Sequence, residues 1–180
     1  MAWAVWVTGL PGSGKSTVAR GLARILMEKG LRVKVLELDE IRKVLTPQPA
    51  YSEEERSIVY AAIAYMAKIL TDEGVNVIVD ATANLKKYRE VAAKLIPAFG
   101  EIYVQCPIEI CMAREAARKS GHAPHDIYRK GMGGQSHTVP GLNVPYEAPE
   151  HPIAIINTEK ESKEQAAIMI ANAVLQWAGK

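Results

Sequence analysis

The chain has 180 residues, with 22 Lys and Arg against 20 Asp and Glu, a formal net charge of +2 and 48% hydrophobic side chains. That length suits one domain, 1–180, with a real core, and the composition is that of a globular protein rather than a disordered one. The near-neutral balance offers no electrostatic footprint for nucleic acid or an anionic membrane, and no apolar stretch is long enough to span a bilayer.

Strand and helix patterns alternate along the chain. Residues 3–7 are a short apolar run ending in a Gly/Pro turn, the pattern of a buried strand, and Val18, Leu22, Ile25 and Leu26 share one face of a helix over 16–29, with Gly30 placed to end it. A second strand is expected over 33–38 and a short helix over 40–45. Ser52 is suited to cap a long helix whose first turn carries Glu53, Glu54 and Glu55, and whose apolar positions are Ile58, Ile63, Met66 and Leu70. A third strand follows at 75–79, then a helix at 85–96 stopped by Pro97, a fourth strand at 102–104 and a helix at 108–118. Residues 120–149 have no clear apolar period and read as a lid, which begins at about 118. A fifth strand at 153–156 and a last helix capped by Ser162, with Ala166, Met169, Ile170, Ala173, Val174 and Trp177 as its buried stripe, complete the order. This alternation predicts an α/β fold, a five-stranded parallel sheet with helices on both faces and right-handed crossovers. The Gly-rich Walker A match at Gly9–Thr17, after the first strand, makes it a P-loop NTPase architecture with a lid segment.

Gly9-Leu10-Pro11-Gly12-Ser13-Gly14-Lys15-Ser16-Thr17 matches the Walker A pattern, with a strand before it and a helix after it. Gly12 and Gly14 let the backbone turn its N–H groups onto phosphate oxygens. The pattern implies that Lys15 reaches the β- and γ-phosphates of ATP and that the Ser16 hydroxyl ligates Mg²⁺.

Ligands in such folds bind at the carboxyl ends of strands. Asp39 and Asp80 are expected there, followed by Arg42 and by Thr82 and Asn84 respectively. A kinase needs a carboxylate beside the acceptor hydroxyl, and a carboxylate also holds Mg²⁺, so both aspartates are candidates and the choice of base stays open. Asp39 and Arg42 form the acceptor side, with Tyr51, Arg56, Asp80, Thr82 and Asn84 as further acceptor candidates; a helix-capping role for Asp39 is compatible with this. Ser16 and Asp39 are the metal candidates. Among Arg114, Arg118, Lys119, Arg129 and Lys130, cations in or before the lid, Arg114 is the candidate for stabilising the transferred phosphoryl group, so that Asp39, Lys15 and Arg114 form the catalytic set. His122, His125 and His137 have the irregular spacing of solvated loop histidines rather than metal ligands. Cys106 and Cys111 are too few for a disulfide framework and lack zinc spacing. The apolar run that starts at Ala2 leads directly into Gly9 with no basic region before it, so a cytoplasmic protein is expected.

Beyond the phosphate loop, the segment from Leu36 to Arg42, the Tyr51-Ser52 to Arg56 segment, the run from Glu101 to Pro107 with Cys111, and Val144-Pro145-Tyr146-Glu147-Ala148-Pro149 together resemble the adenylylsulfate kinase family over nearly the whole chain. The resemblance implies phosphorylation of the 3′-hydroxyl of adenylylsulfate by Mg-ATP to give 3′-phosphoadenylylsulfate, the sulfate-assimilation reaction, and a homodimer. The departures fall on the acceptor side: Val59, Ala61 and Ala62 stand where the family has Asn and two arginines, the stretch from Ala81 to Arg89 differs, and Val139 stands where the family has Phe. Asp80-Ala81-Thr82 is also similar to a segment of polynucleotide and sugar kinases, which keeps a nucleoside, sugar or amino-acid hydroxyl as an alternative acceptor. A nucleotide-binding regulatory module is a third reading, and it leaves Asp39, Arg42 and the lid without a purpose.

Overall fold

The computed structural model describes residues 1–118 and 125–179. Five strands, β1 (Ala4–Thr8), β2 (Val33–Glu37), β3 (Asn76–Asp80), β4 (Phe99–Gln105) and β5 (Ala154–Asn157), form one parallel sheet in the order β2-β3-β1-β4-β5. The helices are α1 (Lys15–Glu28), α2 (Leu38–Leu45), α3 (Glu53–Asp72), α4 (Lys86–Leu95), α5 (Ile108–Ala117), α6 (Ile127–Met132) and α7 (Lys163–Ala178).

The sheet is buried on both faces, which is why β1 is apolar without alternation. Its alternate side chains feed two cores. Val5 and Val7, with Ile78, Ile102, Val104 and Ile156, pack under α1 and α7. Ala4 and Trp6, with Val77 and Val79, pack under α3 and α4, where Tyr60 stacks on Tyr88 with ring centroids 4.6 Å apart. A third, smaller cluster seats Leu10 against Cys106, Cys111 and Tyr128; both cysteines are buried. Among the described residues, no helix is long and apolar enough to cross a membrane.

Local signals set the helix ends. Ser52 accepts from the Glu55 N–H (3.1 Å) and opens α3. Ser162 and Gln165 form a reciprocal capping box at α7, satisfying two donors that a helix start leaves free. Three expectations need correction. Residues 127–132 inside the lid are helical (α6) rather than irregular. Ile58 is 63% exposed and Met169 48% exposed, so neither belongs to its helix's buried stripe. Asp39 does not end a strand or cap a helix: the N-cap of α2 is Glu37, and Asp39 sits in the first turn.

β1 is central: the chain leaves it for the edge strand β2, returns through β3 beside β1, and then passes to β4 on the other side. That reversal of winding opens a crevice at the carboxyl ends of the strands. The phosphate loop follows β1 directly into this crevice.

Candidate active site

The loop over 9–17 is shaped by two glycines with left-handed backbone, Gly12 (φ 81) and Gly14 (φ 95), the latter the N-cap of α1. A Cβ on Gly12 would lie 2.4 Å from the Cys111 carbonyl oxygen, so glycine is also required by space. The loop is held by its carbonyls. Tyr128 donates its phenol O–H to Pro11 O (2.8 Å), Thr158 its hydroxyl to Ser13 O (2.7 Å), and Arg114 Nη1 lies 3.5 Å from the same oxygen. This bracing leaves the N–H side and the N-terminus of α1 as the anion-facing surface.

A cavity of about 790 Å³ opens on that side. It is lined by Pro11, Gly12, Gly14, Lys15, Ser16 and Thr17 from the loop, by Asp39, Arg42, Tyr51, Arg56, Asp80 and Thr82 from the expected acceptor set, and by Arg114. Gly9, Leu10 and Ser13 are expected loop residues that support it from behind: Leu10 packs into the small core cluster, and a Cβ on Gly9 would meet the Val104 carbonyl oxygen at 2.5 Å.

The two aspartates have different surroundings. Asp80, at the end of β3, is only 6% exposed. Burial pushes its carboxyl above the usual 3.8, against the pull of the Lys15 charge and a hydrogen bond with Ser16; the Asp39 and Glu37 charges add to the upward push. Asp39 is half-buried and reaches the cavity from the first turn of α2.

The wall across from the loop is cationic and aromatic. Arg42 Nη1 bonds Glu55 Oε1 at 3.0 Å, with both side chains largely buried (8% and 15% exposed). Glu55 in turn accepts the N–H groups of Ala50 (2.6 Å) and Tyr51 (3.2 Å). The guanidiniums of Arg42 and Arg56 lie 5.2 and 5.9 Å from the centroid of the Tyr51 ring. Tyr51 has φ 55, a costly conformation for a large side chain, and it is fixed from both sides: Arg56 Nε donates to its carbonyl (3.1 Å), and Glu55 takes its N–H. Burial raises its phenol pKa, opposed first by the Arg42 charge.

Two expected site residues act as supports. Asn84 is buried behind the wall, where it receives Arg56 Nη1 (3.3 Å) and donates to Pro145 O (2.9 Å). Arg114 borders the cavity, but its guanidinium is tied to the Thr158 carbonyl (2.7 Å) and hydroxyl (3.0 Å) as well as to the loop, so in this geometry it braces the phosphate loop rather than reaching over the phosphates. Of the lid cations, Lys130 and Arg118 line the cavity, with Arg118 bonded to Glu115 (2.9 Å). Arg129 instead pairs with Asp126 on the surface (2.7 Å, side chain 78% exposed). Lys119 and His122 lie outside the described residues. No group of three or more His, Cys, Asp or Glu side chains suited to a metal occurs among the described residues.

The residues that substitute the family's acceptor positions separate cleanly. Val59 and Ala83 are core side chains away from the cavity, whereas Val139, buried in the small cluster with Cys106, Cys111 and Tyr128, also lines the cavity. Sequence reasoning missed Tyr128, Thr158, Glu161 and Lys163. The last three line a second cavity of about 260 Å³ that shares Gly14, Thr17 and Arg114 with the first. The rule that ligands sit past strand ends points to Thr158, which directly follows β5.

Comparison with known proteins agrees with this geometry. The family model described as adenylylsulphate kinase matches residues 1–157. A probable adenylyl-sulfate kinase of Archaeoglobus fulgidus is 34% identical over 91% of this chain and 100% of its own length, and the adenylyl-sulfate kinase of Halothermothrix orenii is 34% identical over 91% of this chain and 84% of its own. The structure of the Mycobacterium tuberculosis APS kinase CysC in complex with AMPPNP and APS superposes with a TM-score of 0.85 at 29% identity, covering 97% of this chain and 98% of that one. With its parallel sheet, its phosphate loop and these relatives, the chain belongs to the adenylylsulphate kinase family of P-loop phosphotransferases.

Proposed function

We propose that this protein transfers the γ-phosphoryl group of ATP to the 3′-hydroxyl of adenylylsulfate, giving ADP and 3′-phosphoadenylylsulfate. The observation that carries the reading is that the phosphate loop, Asp39 and the Arg42–Tyr51–Arg56 wall all line one cavity, in a chain of this family.

The roles follow from the chemistry of the groups. Lys15 and the loop N–H groups bind the β- and γ-phosphates. The smaller cavity takes the base of ATP: Arg114 borders both cavities, and its planar guanidinium offers a face for stacking. Tyr51, flanked by two guanidiniums, offers a ring for the acceptor's purine, and Arg42 and Arg56 add positive charge for its anionic groups. Asp39 orients the acceptor hydroxyl and takes its proton as the oxygen–phosphorus bond forms and the bond to the β-bridging oxygen breaks. Lys130, on the lid, adds positive charge where charge spreads over the equatorial oxygens.

Mg²⁺ takes oxygen ligands and is commonly held by one or two carboxylates together with substrate phosphates. The hydrogen-bonded pair of Ser16 hydroxyl and buried Asp80 carboxylate, with Asp39 nearby, fits such an ion. When bound, Mg²⁺ neutralises developing charge on the phosphates. Dependence on ATP is in keeping with a cytoplasmic activity.

Protein incubated with ATP, Mg²⁺ and adenylylsulfate is expected to produce 3′-phosphoadenylylsulfate and ADP in equal amounts. A folded, ATP-binding protein that gives neither product would defeat the proposal.

A further inference from the structure

We propose that Arg89, which lies behind the site, is a positioning residue for the acceptor half of the reaction: it fixes the turn after β3 and, through Asn84, the guanidinium of Arg56. The inference rests on the phosphotransfer reading above and adds a residue outside the cavity to it.

Arg89 lies on α4 and is only 1% exposed. A buried guanidinium is costly unless its donors are satisfied, and here they go to three separate stretches of chain. Nε bonds Glu101 on β4 (2.5 Å), Nη1 the carbonyl of Ala83 (2.5 Å), and Nη2 the carbonyl of Glu147 (2.8 Å). Its planar fork can serve diverging acceptors in a way that a lysine ammonium cannot.

Two of those acceptors belong to structures that touch the site. Ala83 is buried with φ 39, in the left-handed region that a side chain with Cβ disfavours. It is held there from both sides, by Arg89 on its carbonyl and by the Tyr60 hydroxyl accepting its N–H (3.0 Å). The bend places Thr82 in the cavity wall and turns Asn84 behind it. Glu147 belongs to a strap, residues 145–149, at the end of the lid segment. Its N–H bonds Asn84 O (2.7 Å), its carboxylate accepts the Lys86 N–H (2.6 Å), and Pro145 O accepts from Asn84 Nδ2 (2.9 Å). Asn84 is thus clamped between the turn and the strap, both anchored by Arg89. Its remaining polar atom, Oδ1, meets Arg56 Nη1 (3.3 Å), and Arg56 also donates to the lid carbonyl of Thr138 (2.7 Å). The relay Arg89–Ala83–Asn84–Arg56 ends on the acceptor wall and does not pass through the phosphate loop.

Kinetics of Arg89→Lys, Asn84→Ala and the double variant, with ATP affinity measured separately, test the relay. Each single variant is expected to raise KM for adenylylsulfate about tenfold while KM and Kd for ATP stay within about twofold. The double variant is expected to do no worse than the weaker single, because both cut the same path. If Arg89→Lys fails to fold, Glu101→Gln, which loosens the guanidinium's third anchor, is read in the same way. An unchanged KM for adenylylsulfate, or parallel changes in both KM values, would overturn the positioning role. Wild-type protein without product would overturn the functional reading instead, so the two failures are distinguishable.

Discussion

Asp39 and Asp80 line the same cavity in different surroundings. Asp80 is buried against Lys15 and Ser16, the place that the proposed reaction gives to the nucleotide and its metal. Asp39 is half-buried on α2, three residues before Arg42, and in that proposal serves the acceptor. Asp39→Asn is expected to lower kcat about 10²–10⁴-fold, the usual scale for a lost general base, with ATP Kd changed by less than about twofold. A near-normal kcat would remove Asp39 from proton transfer. Glu55 supports the same wall from behind. Burial alone would raise its pKa, but bonds from the Ala50 and Tyr51 N–H groups and from Arg42 overcome that and hold it below 4.5. A depressed carboxyl pKa means that the unfolded chain takes up the proton first as pH falls. The stability that Glu55 supplies is therefore complete above about 4.5 and lost as pH drops through the lower folded value. Glu55→Gln is expected to cost roughly 1.5–3 kcal/mol near neutral pH, and the gap to wild type should narrow at about pH 3.5. Urea midpoints at the two pH values check this; an equal gap at both would rule out ionisation as the source.

At the scale of elements, the placement of α1 decides where Lys15 and Ser16 point, and α1 is seated on α7 by small residues. A Cβ on Gly21 would lie 2.8 Å from the Ala167 Cβ. Helix propensity alone would make Gly21→Ala stabilising by about 1 kcal/mol, but overpacking costs about 1–3 kcal/mol. The expected result is a net loss, seen as a melting midpoint lowered by a few degrees, with Ala167→Gly recovering it in the double variant. A midpoint that rises with Gly21→Ala alone would show the contact to be loose. The same contact explains an error of the sequence reading. The expected stripe of α7, Ala166, Met169, Ile170, Ala173, Val174 and Trp177, holds at Ala166, Ile170 and Val174, but Met169 is exposed and the helix buries Ala167 and Ala171 as well. Alanines that permit close approach carry little hydrophobic signal, so a period based on large side chains drifts off the true face. On α3, Ile58 stands on the solvent side while Val59, Tyr60, Ile63, Ala64 and Ala67 are buried. The strands were legible because both faces of the sheet are covered and their runs are continuously apolar. At six residues, α6 is too short to show a period.

Across the whole molecule, legibility follows contiguity. The phosphate loop is nine consecutive residues whose chemistry is written in their own order, whereas the acceptor wall is gathered from α2, α3 and the turn after β3, and only its charged and aromatic members stand out. The supports were invisible because their partners are main-chain carbonyls far along the chain: Tyr128 reaches Pro11, Thr158 reaches Ser13, and Arg89 reaches Glu147. In the proposed reaction donor and acceptor use separate walls with separate anchors, so their binding energies should be separable. A ligand at about 100 times its Kd stabilises the fold by about 2.7 kcal/mol, or about 5–10 °C in midpoint for a chain of this size. Mg-ATP at that excess is expected to raise the wild-type midpoint by this amount, and Lys15→Ala should lose most of the shift. Adenylylsulfate should stabilise Lys15→Ala as well as it does wild type, because Arg42, Tyr51 and Arg56 remain in place. Thermal melts with each ligand alone check both halves. Loss of the adenylylsulfate shift in Lys15→Ala would mean that the acceptor leans on the phosphate loop, and retention of the full Mg-ATP shift would mean that Lys15 contributes little to holding the phosphates.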